Sequence, residues 1–418
     1  MDQMKILWIK SDFLYPADTG GKIRSYNIMR RLSDSHEVSY LCLTDERPSQ
    51  EAVSHLKRFC KSVDYILYRK RKKFGLGFYL ALFGNLISKR PYVINKYKNS
   101  EIIEEIERRL AANEVDILLC DFLEMSPNVL EITEVPRVLF EHNVETEIWH
   151  RHYMISKRPL RKFYLFIEYL KYFSYERMAC ACFDDVLVVS ESDSRLLQQK
   201  YDVKHTAVVP TGVDTDYFKP NCDLMQPRAV VFVGSMDWLP NQDAVEYFVA
   251  DIYPKVKSRI PGVKFYIVGR RPPEKIINLA KADKSILVTG AVDDIRPYVD
   301  MARVYVVPIR IGGGTRIKIF EAMAQKKAII STSIGAEGLP LEDGKHIIIA
   351  DDPDRFAGSV IRLMNDDRLV HKIGENAYSL VIEKYGWDRA ACSFLNAFDK
   401  IENRRRGMIA VGVSSGES

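Results

Sequence analysis

The chain has 418 residues, of which 47% are hydrophobic and 28% charged. These ordinary globular proportions exclude general disorder, a collagen-like fibre and a disulfide mini-scaffold. The 61 Lys and Arg against 56 Asp and Glu leave a net charge of +5, too small an excess to make a nucleic-acid protein by itself.

Taken in chain order, Met1 to Lys5 shows no secretory leader and runs into a short β-rich segment, Lys5 to Ile9. Ser11 to Gly21 is a loop of Pro, Asp and Gly, and a helix from Lys22 to Leu32 carries Ser25, Ile28, Met29 and Leu32 on one stripe. The longest apolar stretch, Phe74 to Ser88, is interrupted by Asn85 and three glycines. It falls short of the roughly 20 residues a spanning helix needs, so a soluble or peripheral, cytoplasmic protein is expected. A helix from Ser100 to about Asn113 repeats Ile102, Ile103, Ile106 and Leu110 at helical spacing, with acids in its first turns. Val115 to Cys120, Val138 to Phe140 and Val186 to Val189 read as strands. Seven cysteines form no CxxC pair, and Cys180-Ala181-Cys182 has no His cluster nearby, so reduced core thiols are expected rather than a zinc or redox motif.

The second half alternates more cleanly. Strands are expected at Ala229 to Val233, Lys264 to Val268, Ile286 to Thr289, Val304 to Pro308, Ala328 to Ser331 and Ile347 to Ala350. Helices are expected at Asp243 to Val256, Pro273 to Ala282, Thr315 to Gln325 and Asp354 to Asn365. Continuous apolar strands, each followed by a helix, predict an α/β chain with parallel sheets covered on both faces. Two such runs predict two doubly wound, Rossmann-like domains, with the seam between Tyr201 and Arg228 and a ligand in the cleft between them.

Neither a G-x-G-x-x-G fingerprint nor a P-loop is present. Two DxD strings, Asp214-Thr215-Asp216 and Asp352-Pro353-Asp354, offer carboxylates for a cation but also suit turns and helix caps. The strongest local signal is Ile311 to Gln325 (IGGGTRIKIFEAMAQ), directly after an expected strand. Gly312, Gly313 and Gly314 let backbone come close to a ligand, and Thr315 is placed to cap the helix. Arg316 and Lys318 stand in the first turn, where bases oppose the helix dipole; a bound phosphate gives them a reason to be there. Glu321 lies on the same face, suited to sugar hydroxyls.

That segment resembles the donor-site motif of retaining glycosyltransferases of the GT-B fold, specifically family GT4. Lys5 to Gly21 is similar to the first strand and glycine loop of the family's amino-terminal domain, and Val208 to Pro220 to the signature before the second domain. Val231 to Asn241 is similar to that domain's first strand and loop, and Tyr385 to Trp387 to the start of a last helix that crosses back. The resemblance implies an acceptor-side domain over 1–207, a nucleotide-sugar domain over 208–385, a returning helix over 386–405 and a flexible tail over 406–418. Two departures stand out. Of two glutamates with seven residues between them in the family, Glu321 matches the second, while Gly313 replaces the first. The loop from Ser235 to Asn241 lacks the usual Arg and Lys, so Arg316 and Lys318 look like relocated replacements, as in an exopolysaccharide-associated branch.

The resemblance further implies transfer of a sugar from a nucleotide diphosphate sugar to a glycan or lipid-linked acceptor, with retention and with neither metal nor cofactor required. Arg316 and Lys318 would meet the leaving diphosphate. His142 would lie near the donor sugar, with Glu145 orienting it or binding substrate. Donor contacts would come from Gly20, Gly21, Gly234, Ser235, Gly269, Arg270, Gly312, Gly313, Gly314, Thr315 and Glu321, and Lys22 would add charge on the acceptor side. A nucleotide-sugar 2-epimerase and a non-catalytic sugar or lipid binder share the architecture and are the alternatives. Nine Lys or Arg and no acid occupy 68–98, and 158–177 adds bases among aromatics. Both segments fit peripheral contact with the inner face of an anionic membrane, or the core of the domain.

Overall fold

A computed structural model describes residues 3–68, 75–221, 226–312 and 316–414. Gly313, Gly314, Thr315 and the bases at 69–73 therefore lie outside the described residues. The chain forms two compact units, Met1–Pro210 with Ala390–Ser418, and Thr211–Arg389.

The first unit is a parallel sheet of β1 (Lys5–Lys10), β2 (Glu37–Thr44), β3 (Ser62–Leu67), β4 (Ile117–Asp121), β5 (Arg137–Glu141), β6 (Asp185–Val188) and β7 (Thr206–Val208). Its order is β3-β2-β1-β4-β5-β6-β7. β2 and β3 were not expected. Polar residues interrupt both, Ser39 in β2 and Asp64 in β3, so no continuous apolar run marks them, yet they complete the sheet on one side of β1. The helix Gly20–Leu32 starts two residues before its expected first turn because Thr19 caps it, accepting from the Lys22 N–H at 3.5 Å. The last helix, Trp387–Ser414, belongs to this unit from Ala390 onward, and Phe394 stacks on Trp8 with ring centroids 5.8 Å apart.

The second unit is a parallel sheet of β8 (Gln226–Val233), β9 (Lys264–Val268), β10 (Ile286–Gly290), β11 (Ala302–Val307), β12 (Ala328–Ser331) and β13 (Ile348–Ile349), in the order β10-β9-β8-β11-β12-β13. The expected strand at Ile347 to Ala350 shrinks to two residues at the sheet edge. The helix expected at Asp243 to Val256 runs from Leu239 to Arg259 through a π turn at Phe248–Ile252. The helix after β11 spans Ile317–Ala324, two residues later than expected, and Arg316 occupies its cap position without a side-chain capping bond.

In both sheets strand order reverses at the first strand, between β1 and β4 and between β8 and β11. Open α/β sheets bind ligands beyond the carboxyl ends of strands at such a point.

Candidate active site

At the switch point of the second unit, Gly234 directly follows β8 and β11 leads toward the helix Ile317–Ala324. Lys318 Nζ donates to Asn241 Oδ1 at 2.9 Å and lies 4.5 Å from the centroid of the Phe232 ring. No carboxylate forms an ion pair with it among the described residues. Burial pulls its amine down to about 7, and neighbouring Arg316 adds to this while Glu321 opposes it. Glu321 is pushed up to about 7 by burial, with Lys318 opposing. Its carboxyl makes no hydrogen bond within the described residues and so remains available to a hydroxyl. Arg316 is buried, with its guanidinium 5.6 Å from the Trp238 ring.

The glycines here have distinct reasons. A Cβ on Gly234 would stand 2.7 Å from both the Asn241 amide and the Lys318 amine, so this glycine keeps the ammonium's place. A Cβ on Gly269 would stand 1.8 Å from the Gly234 carbonyl oxygen; the close approach of two strand ends demands that glycine, whatever binds. Gly312, at φ +113, would set a Cβ 3.0 Å from an Arg316 nitrogen. Ser235 and Arg270 lace the same loops together: Arg270 Nε donates to Ser235 Oγ at 2.9 Å, and Ser235 Oγ donates to Asp237 at 2.7 Å.

Asn241 was not anticipated. Buried in the first turn after β8, it donates to the Ser235 carbonyl at 2.8 Å while accepting from Lys318, which fixes the lysine's direction. An amide in the first turn of a helix, in the loop that lacks the usual bases, was the available signal.

At the switch point of the first unit, Lys10 pairs in register with Asp121 across β1 and β4. Both are buried, with Nζ 3.0 Å from Oδ2. Oδ2 of Asp121 also accepts from Trp8 Nε1 at 2.9 Å and Ser25 Oγ at 2.6 Å. His142 Nε2 lies 2.8 Å from Asp121 Oδ1, and Arg24 donates to His142 Nδ1 at 2.9 Å. Arg24 cannot accept, so Nδ1 carries no proton and the hydrogen of the neutral ring sits on Nε2, facing Asp121. Burial drives the imidazole down to about 3, with Asp121 opposing and Arg24 and Lys10 assisting. Orientation of His142 thus falls to Asp121 and Arg24, not to Glu145. Glu145 begins the helix Glu145–Ile155, where its N–H donates to Glu176 at 2.6 Å and burial pushes its carboxyl up to about 8.

Phe122, directly after β4, takes φ +76, costly for a residue with a side chain. It stacks on His142 with centroids 3.9 Å apart, and a Cβ on Gly21 would stand 2.8 Å from its ring. Gly21 is small because Phe122 comes so close. Gly20 opens the helix and Lys22 lines a pocket of about 310 Å³ with Lys10, Thr19, Phe122 and Glu124.

Neither DxD string gathers a third ligand, and no group of three or more His, Cys, Asp or Glu suited to a metal occurs among the described residues. Asp214 accepts from the N–H groups of Asp216 and Tyr217 at 3.1 and 2.9 Å, a turn. Asp352 caps the helix Pro353–Asn365.

The family model described as Glycosyltransferase Family 4 matches residues 19–217, and that described as Glycosyl transferases group 1 matches 227–366. A Klebsiella pneumoniae protein, "Uncharacterized 44.6 kDa protein in cps region", is 24% identical over 91% of this chain and 96% of its own length. A phosphatidyl-myo-inositol mannosyltransferase of Mycobacterium tuberculosis is 28% identical over 46% of this chain and 53% of its own. Among solved structures, sucrose-phosphate synthase from Thermosynechococcus elongatus superposes with a TM-score of 0.73 at 15% identity, covering 96% of this chain and all of that one. Anabaena HepE, solved with UDP and glucose, gives 0.64 at 13% identity, covering 95% of this chain and 100% of its own.

Proposed function

The chain belongs to the glycosyltransferases, in family 4 and with the GT-B fold, and from that premise we propose that it retains anomeric configuration while moving a sugar from a nucleoside diphosphate sugar to a glycan or lipid-linked acceptor of a bacterial surface polysaccharide. The cps-region relative and the UDP-bound neighbour support the polysaccharide and the donor class. The observation that carries the reading is Lys318, a half-buried amine with no carboxylate ion-pair partner among the described residues, held by Asn241 beside the buried Arg316 at a sheet switch point. Departure of the nucleoside diphosphate builds charge on its phosphate oxygens. Two fixed cations and a helix amino terminus meet that charge without a metal. Glu321 accepts from a ribose hydroxyl. His142, held neutral, keeps a fixed dipole beside Phe122 rather than supplying a proton. Incubation with a panel of nucleotide sugars tests the assignment: release of free nucleoside diphosphate, unaffected by EDTA, is expected. Interconversion of the donor sugars would instead make it an epimerase, and neither reaction would leave a binder.

We also propose that the first unit rests on an anionic bilayer. Phe83 (71% exposed) and Ile87 (89%) stand next to Lys89, while Leu160 (88%) and Phe163 (63%) stand among Lys157, Arg158 and Arg161. The two stretches are tied together: Asn85 and the Tyr92 N–H donate to the buried Glu168 at 3.3 and 2.9 Å, and Lys171 donates to the Asn85 carbonyl at 2.6 Å. Both acids of 158–177, Glu168 and Glu176, are buried, so that face shows only positive charge around its apolar side chains. Each base is worth about 1 kcal/mol near an anionic surface. No described helix is long and apolar enough to cross a membrane. The chain is expected to co-sediment with phosphatidylglycerol vesicles and not with phosphatidylcholine ones, and Leu160→Asp with Phe163→Asp to weaken this at least tenfold.

A further inference from the structure

We propose that Trp238 is a positioning residue of the donor site: the face of its indole holds the Arg316 guanidinium where the leaving diphosphate meets it. This rests on the phosphate-binding reading of Arg316 and Lys318 and adds what keeps the first of them in place.

Trp238 is 42% exposed, so filling the core does not account for a side chain of this size. Its neighbours do. Arg316 Cζ lies 5.6 Å from the centroid of the ring, inside the roughly 6 Å over which an aromatic face attracts a cation. Arg316 itself is buried. A Cβ on Gly312 would stand 3.0 Å from an Arg316 nitrogen, 3.5 Å from the Trp238 ring and 3.6 Å from Pro240, so bare backbone at Gly312 packs against the same pair.

The ring stands on a fixed base. Trp238 directly precedes the helix Leu239–Tyr247, and its carbonyl accepts from the N–H groups of Asn241 at 3.1 Å and Gln242 at 3.3 Å. Asn241, in that same turn, accepts from Lys318 at 2.9 Å. One helix start thus reaches both bases, Lys318 through an amide oxygen and Arg316 through a ring. The loop from Ser235 to Asn241 carries no Arg or Lys of its own; in this chain it carries the groups that hold them.

The choice of holders has a physical reason. Arg316 and Lys318 repel each other, which helps to pull the Lys318 amine down. A carboxylate set between them would relieve that repulsion and also cancel the charge a phosphate is to meet. A ring face and an amide oxygen attract a cation while leaving its full charge in place. An aromatic face also engages the flat side of a guanidinium, whereas phosphate recognition uses the in-plane N–H fork, so the two do not compete.

A double-mutant cycle read by calorimetric titration of the full chain tests this. UDP, GDP, ADP and CDP are screened, and the tightest binder is titrated into the parent, Trp238→Ala, Arg316→Ala and the double variant. Trp238→Ala alone is expected to weaken binding on the order of tenfold. In the Arg316→Ala background the same change should cost less than about twofold, because the cation it held is gone. Trp238→Phe, which keeps a ring face, should stay within about threefold of the parent, whereas Trp238→Leu, which keeps only apolar bulk, should lose as much as the alanine variant. Melting temperatures within about 3 °C of the parent report that the variants are folded, and the comparison of Phe with Leu carries the test if Trp238→Ala melts lower. Equal losses in the parent and Arg316→Ala backgrounds, or full rescue by Leu, overturn the proposal. A ring that instead stacks on the nucleobase gives the first of these results, and Trp238→Ala then weakens the free nucleoside as much as its diphosphate. If Arg316→Ala binds the diphosphate as the parent does, or no nucleoside diphosphate binds at all, it is the donor reading that fails. If Arg316→Ala weakens binding and Trp238→Ala does not, only the assignment of Trp238 falls.

Discussion

Replacing Lys318 by Ala lowers turnover on the order of 10²-fold or more, and Arg316→Ala does the same, the loss expected when one preorganised charge-stabilising group is removed from a water-poor site. Arg316 offers a planar fork and Lys318 a point charge, so neither substitutes for the other. Lys318 adds a pH signature. With its amine pulled down to about 7 in the empty site, the free protein loses this proton as pH rises past neutrality. A bound diphosphate favours the charged amine, so binding takes up a proton. Donor affinity should therefore fall above about pH 7, by up to tenfold per unit, because each unit of pKa separation is about 1.4 kcal/mol. Glu321, pushed up to about 7, ionises over the same range and opposes loss of the Lys318 proton, which broadens the transition. Lys318→Met keeps the chain length, removes the charge and should flatten the slope. Calorimetric titration of UDP across pH measures it. Near-normal turnover in both alanine variants, or an unchanged slope in Lys318→Met, would reject the phosphate-binding role.

Arg316 and Lys318 stood out in the sequence because they break a local rule. Cations at a helix amino terminus oppose the dipole, and a triple glycine before them lacks a packing motive in sequence. The alternating apolar runs gave most strands for a similar reason: a strand buried on both faces writes a continuous apolar string. What sequence could not show was pairing across distance. Lys10 and Asp121 are 111 positions apart and meet only through the parallel register of β1 with β4. The expected first strand stopped at Ile9, whereas β1 runs on to Lys10, which is almost wholly buried. Glu145 was chosen by its proximity to His142 in sequence; its backbone N–H donates to Glu176, and the partners of the His142 ring arrive from the sheet and the first helix. Gly21 and Gly269 were read as ligand contacts, yet each has a steric reason inside its own unit.

Asp121→Ala should destabilise the chain by about 3–5 kcal/mol, the cost of leaving one member of a buried ion pair without the other. Burial alone would push the Asp121 carboxyl up, but Lys10, His142 and Ser25 outweigh it and hold the group below the usual carboxylate range. Removing it strands the Lys10 ammonium, frees the Trp8 and Ser25 donors and takes away the carboxylate oxygen 2.8 Å from His142 Nε2. The melting temperature should drop by on the order of 10 °C for a unit of this size. Lys10→Met combined with Asp121→Leu removes both charges and fills the space, so it should recover much of that loss. It should not recover turnover, since His142 is then unheld. Acid separates the two roles. His142 is neutral when folded down to about pH 3 but takes a proton near 6.5 when unfolded. The unfolded chain binds the extra proton, so stability falls as pH drops from about 6.5 toward 3, by up to about 1.4 kcal/mol per unit. Substituting His142 by Gln should weaken that slope while leaving the pair of Lys10 and Asp121 in place. If Asp121→Ala melts within about 2 °C of the parent, the pair is not what fixes the switch point, and the placement of His142 must come from Phe122 and Phe140 stacking alone.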